Sequence, residues 1–161
     1  MPLHPTQLAE LIESQAGSLQ LWIRSRTAAY EDVVQEAFCR LAVQEPPPDN
    51  PVAWLYQVCR NLAETQRVTD LRRRQREEAR APSEVSKCNP ADRLELAETI
   101  AAVESLDDEL REVFVARIWG QLSLDEIGQL CGISTTTAHR RYQAALKTLK
   151  SKLVLPCEIY P

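Results

Sequence analysis

Residues 122 to 152, LSLDEIGQLCGISTTTAHRRYQAALKTLKSK, join two helical patterns through Gly132-Ile133-Ser134 and leave the folding chain few alternatives to a helix-turn-helix. Ser123 and Glu126 have capping-box spacing, so the Ser123 hydroxyl is predicted to accept from the Glu126 N–H while the carboxylate reaches back. Leu124, Ile127, Leu130 and Cys131 share one face of this helix. Gly132 stands where the chain needs positive φ, and Ser134 is a good N-cap for the next helix. There Ala138, Tyr142, Ala145, Leu146, Leu149 and Leu153 form an apolar stripe that must pack on something. Thr135, Thr136, His139, Arg140, Gln143 and Lys147 fall largely off it. Small hydroxyls followed by arginines suit a helix whose first turn meets base edges and whose later cations meet phosphate. Two packed helices with a solvated face satisfy the same pattern. The charge asymmetry favours DNA, because residues 138 to 152 hold five Lys and Arg and no Asp or Glu.

The formal net charge of −4 conceals segregation. Residues 60 to 80 carry seven cations against four anions, and setting both basic stretches aside leaves seven cations against nineteen anions elsewhere. Basic patches are the footprint of a polyanion, and an acidic remainder repels non-specific DNA or docks on a basic protein. Four glycines, two phenylalanines and long 3.6-residue periods without alternating runs predict an all-α protein. No segment approaches the roughly 20 apolar residues of a membrane span, and no signal sequence opens the chain, so the expectation is a cytoplasmic protein without membrane insertion. The five cysteines, Cys39, Cys59, Cys88, Cys131 and Cys157, are widely spaced and read as reduced, mostly buried thiols. With His4 and His139 as the only imidazoles, neither a metal site nor a cofactor is expected.

Along the chain, residues 6 to 26 are predicted to form an amphipathic helix with Leu8, Leu11, Ile12, Leu19, Trp22 and Ile23 as core. A second helix covers 30 to 44 and stops at Pro46-Pro47-Pro48, since no helix interior survives three prolines. Asn50 as N-cap and Pro51 at the first helical position start a long helix to about residue 80. Its apolar stripe of Leu55, Val58, Cys59 and Leu62 thins before the arginine run, so it begins as core and ends as a basic arm. Residues 81 to 90 are linker-like, and 91 to 105 and 107 to 119 are two further helices. In the helix from Tyr30, the residues Val34, Ala37, Phe38 and Leu41 form the buried stripe and leave Asp32, Gln35, Glu36 and Arg40 on other faces. Such a cluster is ordinarily a solvated face, but it also suits arginines of a protein partner, because carboxylate–Arg pairs are charge-assisted and often bidentate.

DVVQEAFCRL from Asp32, WLYQVCRN from Trp54, REVFVAR from Arg111, LSLDEIGQLCGIS from Leu122 and the Arg141 helix together resemble bacterial RNA polymerase sigma factors of the extracytoplasmic-function group. The resemblance covers nearly the whole chain in order and spacing. It implies two small helical domains: region 2 over 1–80, a linker over 81–90, region 4 over 91–155 and a tail over 156–161. It further implies that Asp32, Gln35, Glu36 and Phe38 match the region 2.2 signature that docks on the β′ clamp helices of core RNA polymerase, with the β flap as a second contact. The proline-rich stretch 44 to 51, including Asn50, matches the loop that captures a flipped minus-10 base. Trp54, Arg60 and Asn61 lie on the helix lining the melted strand, and an unpaired base needs such a surface in place of its lost stacking partner. Trp54 itself falls beside Leu55 and reads more readily as core than as a stacking platform. Arg67, Arg72, Arg73, Arg74 and Arg76 would follow backbone phosphates, unless the run is a solvated helix end. Ser134, Thr135, Thr136, Thr137, His139, Arg140, Arg141 and Lys147 would meet the minus-35 element, with Thr137 and Arg141 matching the family's Thr and Arg. An anti-sigma factor is an implied partner beside promoter DNA.

The chain departs from the family's common Gly, Lys, Ser and Arg at Thr136, His139, Arg140 and Ala144, so an unusual minus-35 sequence is expected. In region 2, Thr65 replaces a common Asp and Val68 a common Arg, with Arg67 one place earlier. The implied mechanism is binding coupled to strand opening, without covalent chemistry by this chain. No nucleophile–base pair or phosphate loop points to an enzyme. A conventional helix-turn-helix regulator explains 122 to 152 but leaves 30 to 80 unexplained. An adaptor that binds polymerase without melting promoters fits the overall acidity and the motif departures.

Overall fold

The computed structural model describes residues 2–74 and 94–153, which form seven α-helices and no strand. The linker at 81–90, Arg76, Cys88, Cys157, the end of the third helix beyond Arg74 and the tail at 156–161 lie outside the described residues. Helix α1 covers Pro5–Ile23, α2 Tyr30–Val43 and α3 Pro51–Arg74; α4 covers Leu94–Glu104, α5 Asp108–Ile118, α6 Leu124–Cys131 and α7 Thr135–Lys152.

The helix starts follow from local chemistry. His4 caps α1, its ring nitrogen accepting from the Thr6 N–H while Gln7 accepts from the His4 N–H, and Pro5 fills a position that needs no donor. Asn50 caps α3 through Oδ1, which accepts from the Ala53 N–H at 3.1 Å. Helix α1 ends three residues earlier than the periodicity suggests, and Ile12 is 42% exposed rather than core. It lies on the solvent side of a stripe whose buried members Gln15, Ser18, Leu19 and Trp22 turn inward.

Helices α1, α2 and α3 pack on one another, and α5, α6 and α7 form a second group with α4 against α7. Among the described residues the groups meet chiefly where α1 packs on α5 and α3 on α6, and one apolar cluster runs through both. Trp22 and Tyr56 stand at that junction, fully buried, with ring centroids 5.0 Å apart at an interplanar angle of 71°. Phe114 stacks near Tyr142 at 6.2 Å and anchors α7 on α5.

The turn between α6 and α7 has the expected geometry. Gly132 adopts φ 67° and ψ 35°, and the Ile133 N–H donates to the Gly128 carbonyl at 2.9 Å, closing a Schellman motif. Gly128 is needed for another reason: a Cβ there would stand 2.8 Å from the Ile133 carbonyl oxygen, a backbone atom that cannot swing aside. Gly128→Ala should therefore destabilise the chain by about 1–3 kcal/mol despite alanine's better helix propensity, measured as a lower urea midpoint at unchanged slope.

Candidate nucleic-acid and polymerase interface

Helix α7 is seated by its apolar stripe. Ala138, Ala145 and Leu149 are buried, while Tyr142, Leu146 and Leu153 pack partly buried against the core. That orientation turns Thr135, Thr136, His139, Arg140 and Lys147 to solvent. Ser134 caps the helix, its Oγ accepting from the Thr137 N–H at 3.1 Å and donating to Thr137 Oγ1 at 2.9 Å. Thr135 donates to Asp125, which fixes the first turn of α7 against α6. Arg141 is half-buried and its Nη2 lies 2.9 Å from the exposed Glu109 carboxylate on α5. A phosphate approaching Arg141 competes with a weak, solvent-screened pair rather than a buried one.

Helix α6 is held by the predicted capping box, with Ser123 Oγ accepting from the Glu126 N–H at 3.1 Å and Glu126 Oε2 accepting from the Ser123 N–H at 2.7 Å. The Ser123 backbone bond, then the Ser123 hydroxyl and Asn50, hold the Glu126 carboxyl below the usual carboxylate range, although partial burial works the other way. A depressed folded pKa means the stabilisation is present above the unfolded value of about 4.3 and is lost as pH falls through the lower folded value. Glu126→Gln should therefore cost a constant amount between about pH 5 and 7 and progressively less below about pH 4. Urea unfolding of both proteins across that range checks this.

On α2, Asp32, Gln35 and Glu36 are exposed on one side, with Glu36 paired to Arg40 at 2.8 Å. Phe38 differs from its three companions: it is 7% exposed and packs in the core, so it supports this face from beneath. Cys39 is exposed, against the expectation of mostly buried thiols, because it lies on the polar side of α2. Cys59 is buried in α3 and its thiol is pushed up to about 12 by desolvation. Burial, with Glu112 nearby, pushes Cys131 up to about 11.

On α3, Asn61, Arg67, Arg72 and Arg73 are exposed, and Arg74 closes the described helix. Trp54 is half-buried against the core beside fully buried Leu55, as its position suggests. Asn50 and Arg60 are engaged by the other helix group. Asn50 Nδ2 donates to Glu126 Oε1 at 3.0 Å, and Arg60 Nη1 lies 3.9 Å from Glu112 Oε2 without a hydrogen-bond partner.

Glu112 is the residue that sequence reading missed. Its side chain is 8% exposed in α5 and accepts from Arg26, with Nε at 2.6 Å, while Arg26 also reaches Glu64 at 2.9 Å. The Glu112 carbonyl accepts from Trp22 Nε1 at 3.1 Å. A carboxylate immediately before the apolar run Val113-Phe114-Val115-Ala116 was the available signal, since a buried charge requires a partner.

Among the described residues no helix is long and apolar enough to cross a membrane, and no group of three His, Cys, Asp or Glu side chains is placed to hold a metal ion. Residues 96–149 match the family described as Sigma-70, region 4. The fold of the chain is similar to that of the sigma factor RpoE from Bartonella quintana, solved with the anti-sigma factor NepR, at TM-score 0.65 and 22% identity, covering 91% of this chain and 96% of that one. It is also similar to CnrH, solved with the cytosolic domain of CnrY, at TM-score 0.53 and 22% identity, covering 92% and 88%. No curated protein sequence matches the chain.

Proposed function

We propose that the chain is a sigma factor of the extracytoplasmic-function group that binds core RNA polymerase and directs it to promoters, a reading supported by the region 4 match over residues 96–149 and by the likeness of fold. The observation that carries the reading is the order of surfaces on one chain. A polar face on α2, a proline-rich loop with a basic helix behind it, and a helix-turn-helix with an exposed basic face follow one another.

Asp32, Gln35 and Glu36 accept from basic residues of the β′ clamp helices, and Phe38 holds their backbone in place. A flexible contact of the C-terminal group with the β flap completes the grip. The loop at Asn50 takes a base flipped from the minus-10 element, while Arg60, Asn61 and the α3 arginines hold the displaced strand. Flipping costs a few kcal/mol per base, and stacking and backbone contacts return about 1–3 kcal/mol per base. Residues Thr135, Thr136, His139 and Arg140 enter the major groove at the minus-35 element, and Thr137, Arg141 and Lys147 hold the backbone. The departures at Thr136, His139, Arg140 and Ala144 set the promoter sequence read there. The chain performs no covalent step, works in the cytoplasm beside the polymerase, and is bound by an anti-sigma factor, a partner supported by the complex of RpoE, similar in fold, with the anti-sigma factor NepR.

Run-off transcription with cognate core polymerase on genomic fragments tests the reading. Initiation at discrete start sites is expected. No binding to core overturns it, and binding without initiation makes the chain an adaptor. Arg141→Ala should weaken promoter binding and flatten its dependence on log salt concentration by about one unit of slope; an unchanged slope removes Arg141 from the phosphate contacts.

A further inference from the structure

We propose that Asp125 on α6 is a positioning residue for the minus-35 reader: by holding the Thr135 hydroxyl proton it makes Thr135 an acceptor, so the base facing Thr135 is adenine or cytosine. The proposal rests on the sigma-factor reading for the place of α7 on DNA, and it names the class of base that one residue of that site reads.

Asp125 and Thr135 stand in the first turns of α6 and α7, and both are exposed. Thr135 Oγ1 donates to Asp125 Oδ1, and chemistry fixes this direction, since a carboxylate has lone pairs and no proton to return. A hydroxyl has one proton and two lone pairs, so the bond leaves Thr135 with acceptor capacity alone. Turning the proton toward another acceptor breaks a charge-assisted bond, about twice as strong as a neutral one. The neighbouring hydroxyls are committed differently. Ser134 Oγ accepts from the Thr137 N–H and donates to Thr137 Oγ1, which leaves the Thr137 proton free for an acceptor such as phosphate. One helix turn thus presents an acceptor at Thr135 and a donor at Thr137.

In the major groove adenine N6 and cytosine N4 donate, whereas guanine O6 and thymine O4 accept. An acceptor at Thr135 pairs with the first two and sets lone pair against lone pair with the others. Asp125 sharpens the contrast. Its charge opposes the phosphates of every sequence alike, and a base amine beside the pair is the groove group that offsets it. An open recess of about 620 Å³ beside the turn, lined by Asp125, Gln129, Ser134 and Thr135 among others, leaves the pair within reach of a base edge.

The test uses holoenzyme assembled with cognate core polymerase on a duplex promoter library randomised across the minus-35 element, with transcripts counted by sequence. At one position adenine and cytosine should exceed guanine and thymine on one strand by about tenfold. Asp125→Asn supplies an amide that donates to Thr135 Oγ1 and releases its proton, so that preference should fall below about threefold while the order of bases at other positions is kept. Thr135→Val retains the shape and a methyl group and should abolish the preference. On a promoter with adenine at that position, exchange for purine, which lacks the amine alone, should weaken binding by the parent holoenzyme about tenfold and by Thr135→Val holoenzyme less than about twofold. An Asp125 with a structural role alone would change binding to all sequences together, so a uniform change with the preference intact overturns the proposal. A parent holoenzyme without the preference overturns it as well. If no library member supports initiation, the sigma-factor reading fails and the proposal falls with it; initiation without the preference refutes the base assignment alone.

Discussion

Trp22→Ala should lower the thermal midpoint by about 10 °C. Trp22 has no exposed surface, meets Tyr56 edge-on and donates to the Glu112 carbonyl, so truncation empties a site between α1, α3 and α5. Large-to-small changes of buried aromatic side chains cost about 3–5 kcal/mol, and each kcal/mol moves the midpoint of a chain this long by about 2–4 °C. Trp54 provides the internal control. It is half-buried on the same helix group, so Trp54→Ala should cost only about 1–2 kcal/mol. Circular dichroism melts of the two variants decide the matter. A shift under about 3 °C for Trp22→Ala would remove it from the centre of the core.

The second large effect is on partner binding. Asp32→Ala combined with Glu36→Lys should weaken core polymerase binding at least about 100-fold, which is about 2.8 kcal/mol at 1.4 per decade. Charge-assisted pairs at a protein interface are worth this much when one partner is removed. Stability should fall by less than about 1 kcal/mol, because both side chains are exposed and the lost Glu36–Arg40 pair is a surface i,i+4 contact. Pull-down against immobilised core enzyme, with melts run alongside, separates the two. Retained binding would remove this face of α2 from the polymerase contacts. A companion Phe38→Ala should behave differently, losing stability and binding together, because Phe38 is in the core.

Much of the local structure was legible residue by residue. Ser123, Glu126, Gly132 and Ser134 specify where α6 ends and α7 begins, because a cap or a positive φ is decided within four residues. The end of α2 and the start of α3 at Pro51 were likewise legible from the break at Pro46-Pro47-Pro48 and the Asn50 cap. Ile12 shows where helical spacing fell short: it identifies a face, but the neighbouring helices decide how far burial extends around it. Glu112 and Arg26 were invisible as a pair because 86 positions separate them.

Helix boundaries, the buried stripe of α7 and its exposed basic face were thus determined by the sequence alone, through interactions of a few residues' range. Which charges are satisfied within the chain was decided only by tertiary packing. Arg60 and Asn50 read as nucleic-acid contacts in sequence, yet the folded chain sets them against Glu112 and Glu126. The reason is physical: α1 and α3 must cover Trp22 and Tyr56, the surface of α5 and α6 is the cover at hand, and any charge at that junction loses water and takes the nearest opposite charge.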